Sequence, residues 1–442
     1  MSRPAATTPR SYASGARILS VGIAATGVLT FAFFSIASHV LAPVEAKRVD
    51  LLWSVMFVII SIIYRPIEQL LSRTIADRRA RGLEGQAMRV PMTIQAGFAL
   101  VFLAVALPLH DTVVRGVFDG SAALYWILVV GTLAYAASYF ARGWLAGHQY
   151  FALYGGLVLM EAASRVAFAL AVAVGLAGGQ SAVALGIAAA PFVSLFVVPA
   201  AFARNRSRTS AAAGRGADEP AGVPLSLRGG TGFALSVSGI QLAEQTLLNV
   251  AVLTVAASAA DPALAGIVFN VLLITRAPLQ LFQAIQTSLL PHLAGLEAGG
   301  GEASAFARTI RLTLLSIAGF SGAVAGGMVA VGPFAMTHLF GQQHAYNRFG
   351  LAAIALGMGF HLAAGALNQA ALARGQARAA AAAWLGAAAG FVAWMVAPLV
   401  GDQLLRTELG YLGAAGLLAL ALWVLYRRGA GAPAPMAAAI AA

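Results

Sequence analysis

Cysteine is missing from all 442 residues, which excludes disulfides and thiolate metal sites. Charge is scarce too: Asp, Glu, Lys and Arg make up 10% of the chain, against about 25% in soluble domains. Lysine occurs once, at Lys47, so arginine carries nearly all the positive charge. The seven histidines stand at no metal-ligand spacing, and His361 reads as a satisfied core residue. Neither a Walker loop nor a G-x-S-x-G motif occurs, so the chain does not hydrolyse ATP through a P-loop. What fills the sequence instead is hydrocarbon. Apolar residues make up 60% of it, and the mean hydropathy is +0.82. This is the composition of a polytopic helical membrane protein.

Apolar runs long enough to cross about 30 Å of hydrocarbon, roughly 20 residues each, lie near 17–42, 50–72, 90–109, 121–146, 151–176, 181–203, 230–256, 264–291, 308–332, 349–372, 377–400 and 408–427. They are continuous rather than alternating, which argues for helices and against a β-barrel. The N-terminal "MSRPAATTPRSYASGAR" resembles a signal n-region, but the following apolar run is long and no clear cleavage site follows. It reads as an uncleaved first span. The fold class is therefore all-α, with about 12 transmembrane helices.

Orientation follows from the arginines. With alternate loops assigned to alternate sides, 20 basic residues fall on one side and five on the other, Lys47, Arg48, Arg115, Arg348 and Arg406. That bias places both termini in the cytoplasm. The net charge of +12 is thus a topology signal and predicts no nucleic-acid partner. The stretch 204–229 is Ala, Gly, Ser, Pro and Arg without apolar periodicity, and reads as a flexible basic linker. It separates an N-terminal lobe, 1–203, from a C-terminal lobe, 230–428, with 429–442 as a cytoplasmic tail.

The two halves echo each other. "LSV" at Leu19 recurs at Leu235; "FVIISIIYRPIEQLL" matches "FNVLLITRAPLQLF", setting Pro66 against Pro278; "WLAGHQ" matches "LARGQAR", setting Gly147 against Gly375. Six spans precede the second copy, an even number. The lobes then share one topology and are pseudo-symmetric about an axis along the membrane normal, as in transporters. The small-residue runs "GAVAGG" (322–327) and "AAAAAWLGAAAG" (379–390) offer faces for close helix packing.

Six ionisable residues other than histidine lie within spans: Arg65, Glu68, Glu161, Arg165, Glu244 and Arg276. Each charge near the bilayer centre costs about 2.5–3.5 kcal/mol on insertion scales. Such residues pair, face water or serve function. Glu161 and Arg165, at i and i+4, share a helix face and are expected to form a structural pair. Arg65 and Arg276 each precede a matched proline, Pro66 and Pro278, which bend their helices and act as hinges. In span seven Ser238, Gln241, Gln245 and Asn249 fall within about 80° of one another, with Glu244 on the flank. That stripe reads as a cavity wall, which Tyr64, Gln69, Gln280 and Gln283 would extend.

Span two's "RPIEQLLSRTIADRRARG", with the "RAPLQLF" of span eight, resembles the polysaccharide-transporter branch of the multidrug/oligosaccharidyl-lipid/polysaccharide flippases, which includes the O-antigen flippases. The resemblance implies two six-helix lobes that open alternately to the cytoplasm and the outside. It implies a polyprenyl-pyrophosphate-linked oligosaccharide as cargo, moved to the outer leaflet of a bacterial cytoplasmic membrane for surface polysaccharide assembly. Polymerase and glycosyltransferase machinery would be its partners. Arg65 and Arg276, with Arg17 as a third, are the positions at which the pyrophosphate would be held, and guanidinium suits phosphate oxygens. No cofactor is implied beyond coupling to protons or sodium, for which Glu244, Glu68 or the membrane potential are the candidates.

The rival expectation is a cation-coupled exporter of small molecules, of the same superfamily or of the major facilitator type. "RTIADRRARG" (73–82) partly matches the latter's loop in Asp77, Arg78 and Arg81 but lacks its glycines. An enzyme is not expected, because Asp111, Asp119, Asp261 and Asp402 sit in loops too short to fold.

Overall fold

A computed structural model describes residues 9–81, 88–197, 199, 226–258, 271, 287–298, 303–340, 346–397 and 399–429; every regular element among them is helical. The helices are α1 (Pro9–Val40), α2 (Pro43–Ile63), α3 (Arg65–Ala80), α4 (Arg89–Ala106), α5 (His110–Gly116), α6 (Ala122–Gly147), α7 (Phe151–Ala173) and α8 (Gly179–Ser194). They continue with α9 (Leu227–Ser258), α10 (Ala303–Phe340), α11 (Arg348–Ala373), α12 (Ala377–Val396) and α13 (Gln403–Gly429). Residues 287–298 are helical as well. Among the described residues, eight stretches are long and apolar enough to cross a bilayer. The protein is an all-α polytopic membrane protein. Span eight, with Arg276, Pro278, Gln280 and Gln283, lies almost wholly outside the described residues, as does the linker up to residue 225.

The chain divides into two compact units, Met1–Ala234 and Leu235–Ala442, with the boundary inside α9. In the first, α1 packs on α7, α7 and α6 on α8, and α3 on α6. In the second, α11 and α12 pack on α13, and α10 on α11. Span four against six and five against six therefore recur as ten against twelve and eleven against twelve.

One turn corrects the register of the repeat. After α6, Gln149 has φ +60°, its amide bonds to Ala146 O, and that of Tyr150 bonds to Leu145 O. After α11, Gly375 has φ +75°, its amide bonds to Leu372 O, and that of Gln376 bonds to Ala371 O. These are the same left-handed stop, which glycine adopts at least cost. Gly375 thus corresponds to Gln149, two residues on from the Gly147 that the letters matched.

Span two is two helices. Its ladder breaks at Tyr64, which caps α2 and opens α3; Arg65 and the donor-less Pro66 form the first turn of α3. The second half is then held by glycine on α6. A Cβ added at Gly143 would lie 2.8 Å from Glu68 O and 2.9 Å from its Cα, so only glycine lets the backbones of α3 and α6 approach so closely. The small-residue runs expected to pack do not do so in this way. A Cβ added at Gly322, Gly326, Gly327, Gly386 or Gly390 meets nothing within 4 Å, and close approaches occur instead at Gly143 and between Gly22 and Gly155, where a Cβ on Gly22 would come within 3.1 Å of the Gly155 Cα.

Gly143→Ala is accordingly expected to cost about 1–3 kcal/mol by overpacking and to lower the thermal midpoint of the detergent-purified protein. Gly27→Ala, where a Cβ meets nothing within 4 Å, is expected to leave it unchanged or raised. Equal midpoints for the two variants would contradict the close α3–α6 approach.

Candidate functional site

In the first unit the ionisable residues of three helices, α3, α6 and α7, form one buried column. The close approach at Gly143 sets Glu68 of α3 beside α6, and the Glu68 carboxylate accepts a hydrogen bond of 2.8 Å from the Tyr154 hydroxyl of α7. On α6, Tyr135, Ser138, Tyr139 and Arg142 occupy i, i+3, i+4 and i+7, one face. That face meets Glu161 of α7, whose carboxylate accepts from the Ser138 hydroxyl and the Arg142 guanidinium. Arg142 also lies 4.5 Å above the Tyr139 ring. Its charge acts on Glu68 together with that of Arg65.

The Glu161–Arg165 pair expected from the i,i+4 spacing is not formed. Glu161 takes Arg142 instead. Arg165 donates to the Tyr135 hydroxyl and to Thr30 Oγ1, both at 3.3 Å, and lies 4.6 Å above the Trp53 ring. The reason is energetic. Arg142 would otherwise be an unpaired cation inside the bundle, whereas Arg165 finds two hydroxyls and an indole face that tolerate its charge. Glu68 and Glu161 are 7% and 2% exposed, so this is an interior network.

Arg65 opens α3 at the break, half-buried, and its charge is felt by Glu68 and Tyr139. Pro66, Tyr64 and Gln69 are buried beside it. Arg17 lies in α1, with its side chain outside the described residues. Arg276 and Pro278 lie outside them altogether.

The second unit holds a polar cluster on α9. Gln241 is buried and donates to Glu244 Oε2 at 3.1 Å. Gln245 and Asn249 are half-buried one and two turns further on, and Asn249 Nδ2 donates to Gln245 O at 2.7 Å. The stripe expected on span seven thus runs along one helix face, from half-buried Ser238 through Gln241 to Asn249.

His361 of α11 faces it, and here the sequence reading fails. His361 is fully buried, and neither ring nitrogen has a hydrogen-bond partner among the described residues. Its Nε2 lies 3.7 Å from Glu244 Oε1, an ion-pair distance longer than a hydrogen bond. Trp384 of α12 meets the imidazole edge-on at 5.4 Å, and Tyr411 of α13 is stacked at 6.4 Å. A histidine 117 residues from Glu244 carries no local signal; only the packing of α9 against α11 makes it a partner. Asn368 Oδ1 and Gln369 Oε1, further along α11, are also buried without a partner among the described residues. An acid and an imidazole thus face each other in the interior of the second unit.

No protein-family model matches the sequence, and no curated protein matches it. Solved structures do. A MATE transporter in a bent conformation aligns with TM-score 0.79 and 13% identity, over 97% of this chain and 96% of its own. The MATE transporter ClbM in complex with Rb+ aligns at 0.75 and 16%, over 95% and 94%. A transporter of the MOP superfamily from Pyrococcus furiosus, described as having a binding pocket of reverse polarity, aligns at 0.73 and 12%, over 95% of each. At such identities the likeness carries the fold. That fold is the one of the MATE transporters, and it spans nearly the whole chain.

The column in the first unit makes a direct prediction. Arg142→Gln leaves Glu161 as a buried anion without its cation, and is expected to destabilise by about 3–5 kcal/mol. Adding Glu161→Gln should recover much of that loss. A double-mutant cycle on Glu161 and Arg165, read as thermal unfolding in detergent, should give a coupling well below that of Glu161 and Arg142. A larger Glu161–Arg165 coupling would overturn the pairing.

Proposed function

We propose that this protein is a membrane transporter that works by alternating access, with uptake of a proton or sodium ion at Glu244 and His361 as its coupling step. The observation that carries this is the fully buried His361, whose ring nitrogens make no hydrogen bond among the described residues and whose Nε2 faces Glu244, inside a fold that matches MATE transporters over nearly its full length. A buried imidazole with unmatched nitrogens beside a carboxylate carries a desolvation cost in a low-dielectric interior. A proton shared between the two, or a cation held by Glu244, Gln241 and neighbouring amide oxygens, removes that cost. The preferred arrangement of the surrounding helices then depends on whether the site is loaded, which is what coupling requires.

For the cargo, we read a polyprenyl-pyrophosphate-linked oligosaccharide, carried from the cytoplasmic to the outer leaflet. The resemblance of spans two and eight supports this, as does a half-buried Arg65 at the break in span two. In this reading Arg65 and Arg276 hold the pyrophosphate in water while the polyprenyl tail stays in lipid. The second reading, cation-coupled export of small molecules, is favoured by a different observation. Arg65 lies within electrostatic reach of Glu68, so part of its charge is already compensated and less of it is left for an anion.

Reconstituted vesicles separate the two. Under the flippase reading Arg276→Ala is expected to abolish translocation of a fluorescent lipid-linked oligosaccharide at unchanged abundance; normal translocation in that variant refutes it, and uptake of a cationic dye by the parent protein favours the exporter. Glu244→Gln is expected to reduce gradient-driven transport at least about tenfold under either reading. Full transport in Glu244→Gln would remove the coupling role.

A further inference from the structure

Two helices of the second unit carry lipid-facing stripes that end in unpaired arginine. On α10, Leu312 and Leu315 are each 58% exposed. Arg308 and Arg311 stand one turn before them on the same face, both exposed. On α13 the order is reversed. Leu417 and Leu420 are exposed, followed on the same face by Trp423 and Val424, then by exposed Arg427 and Arg428. Apolar side chains giving way to an aromatic residue and then to cations is the profile of a surface crossing from acyl chains to headgroups.

The two basic ends are fixed together. Arg374, at the end of α11, lies between two rings, 4.4 Å from the centre of Phe306 of α10 and 4.8 Å from that of Tyr426 of α13. The rings are near-parallel at 14° with centres 6.5 Å apart. Arg374 also donates to Tyr426 O at 3.0 Å and pairs with Glu297 at 3.7 Å. Phe306 precedes Arg308 by two residues and Arg311 by five, and Tyr426 adjoins Arg427 and Arg428. Glu297 is thus engaged by Arg374, and none of the four exposed guanidinium groups has an ion-pair partner among the described residues. Arg427 lies 5.7 Å from the Trp423 ring, one turn back along α13.

We propose that this end of the second unit is a binding site for anionic phospholipid of the cytoplasmic leaflet, with Arg308, Arg311, Arg427 and Arg428 holding the headgroup phosphates and Trp423 seated at the glycerol level. Arg308 and Arg311, at i and i+3, and the adjacent Arg427 and Arg428 make two guanidinium pairs on helix ends joined through Arg374, which favours a lipid with two phosphates, such as cardiolipin, over one with a single phosphate. The site is separate from the Glu244–His361 cluster and holds for either cargo.

The test uses the full chain in nanodiscs of phosphatidylcholine, alone or with phosphatidylglycerol or cardiolipin added. The thermal midpoint is expected to rise with either anionic lipid, and more with cardiolipin. In the fourfold variant R308Q/R311Q/R427Q/R428Q that rise should fall by about half or more, while the fourfold Arg→Lys variant should keep most of it. Arg48→Gln, on the opposite side, should keep the full rise. If the fourfold glutamine variant fails to insert, the pairs R308Q/R311Q and R427Q/R428Q are each expected to lose part of the rise. An unchanged rise in inserted variants overturns the proposal. So does an equal rise when inorganic phosphate is added to phosphatidylcholine nanodiscs, since that would mark a soluble-anion site.

Discussion

Charge cannot be left alone inside a bilayer protein, and the placement of the buried ionisable side chains among the described residues answers to that. A chain with so few charges still buries Glu68, Arg142, Glu161, Arg165 and Glu244. In the first unit the answer is close to complete. Glu161 has a cation and a hydroxyl, Glu68 has a phenol and the field of two arginines, and Arg165 has two hydroxyls and an indole. Pairing on this scale holds α3, α6 and α7 in one arrangement, with Arg142 Nε and Arg165 Nε left without a partner among the described residues. In the second unit Glu244 accepts from Gln241, and the imidazole facing it makes no hydrogen bond among the described residues. The two units share a repeated helix pairing but differ in the partners of their buried charges.

The geometry behind the first network is set by backbone approach rather than by the charges. Glycine at 143 lets α3 lie against α6, which places Glu68 within the field of Arg142. The break at Tyr64 frees the second half of span two to take that position independently of the first half. Pro66 makes the break inexpensive, since its missing donor falls where a new helix begins.

Much of this was legible in the letters, and the failures share one cause. Apolar run length is local, so the spans, their order and the Pro66 irregularity could be read directly. The stripe of Gln241, Gln245 and Asn249 is likewise a property of one helix. Partner choice is not local. The i,i+4 rule named Arg165 for Glu161, yet Arg142, 19 residues away and counted as a cytoplasmic-end residue, takes the carboxylate because α6 and α7 lie side by side. His361 read as inert because nothing near it in sequence is charged. The two-residue slip between Gly147 and Gly375 arose because matching letters favour identical glycines, while the backbone requires only a left-handed position, which Gln149 supplies.

The account stands or falls on the polar face of α9 being open to water from each side of the membrane in turn. Because the chain has no cysteine of its own, Gln245→Cys creates a unique thiol on that face. In sealed vesicles of known orientation, a membrane-impermeant maleimide should label it from the cytoplasmic side and, in a separate population, from the external side, with cargo or ion shifting the ratio. Labelling from neither side, or from one side under all conditions, would contradict the account.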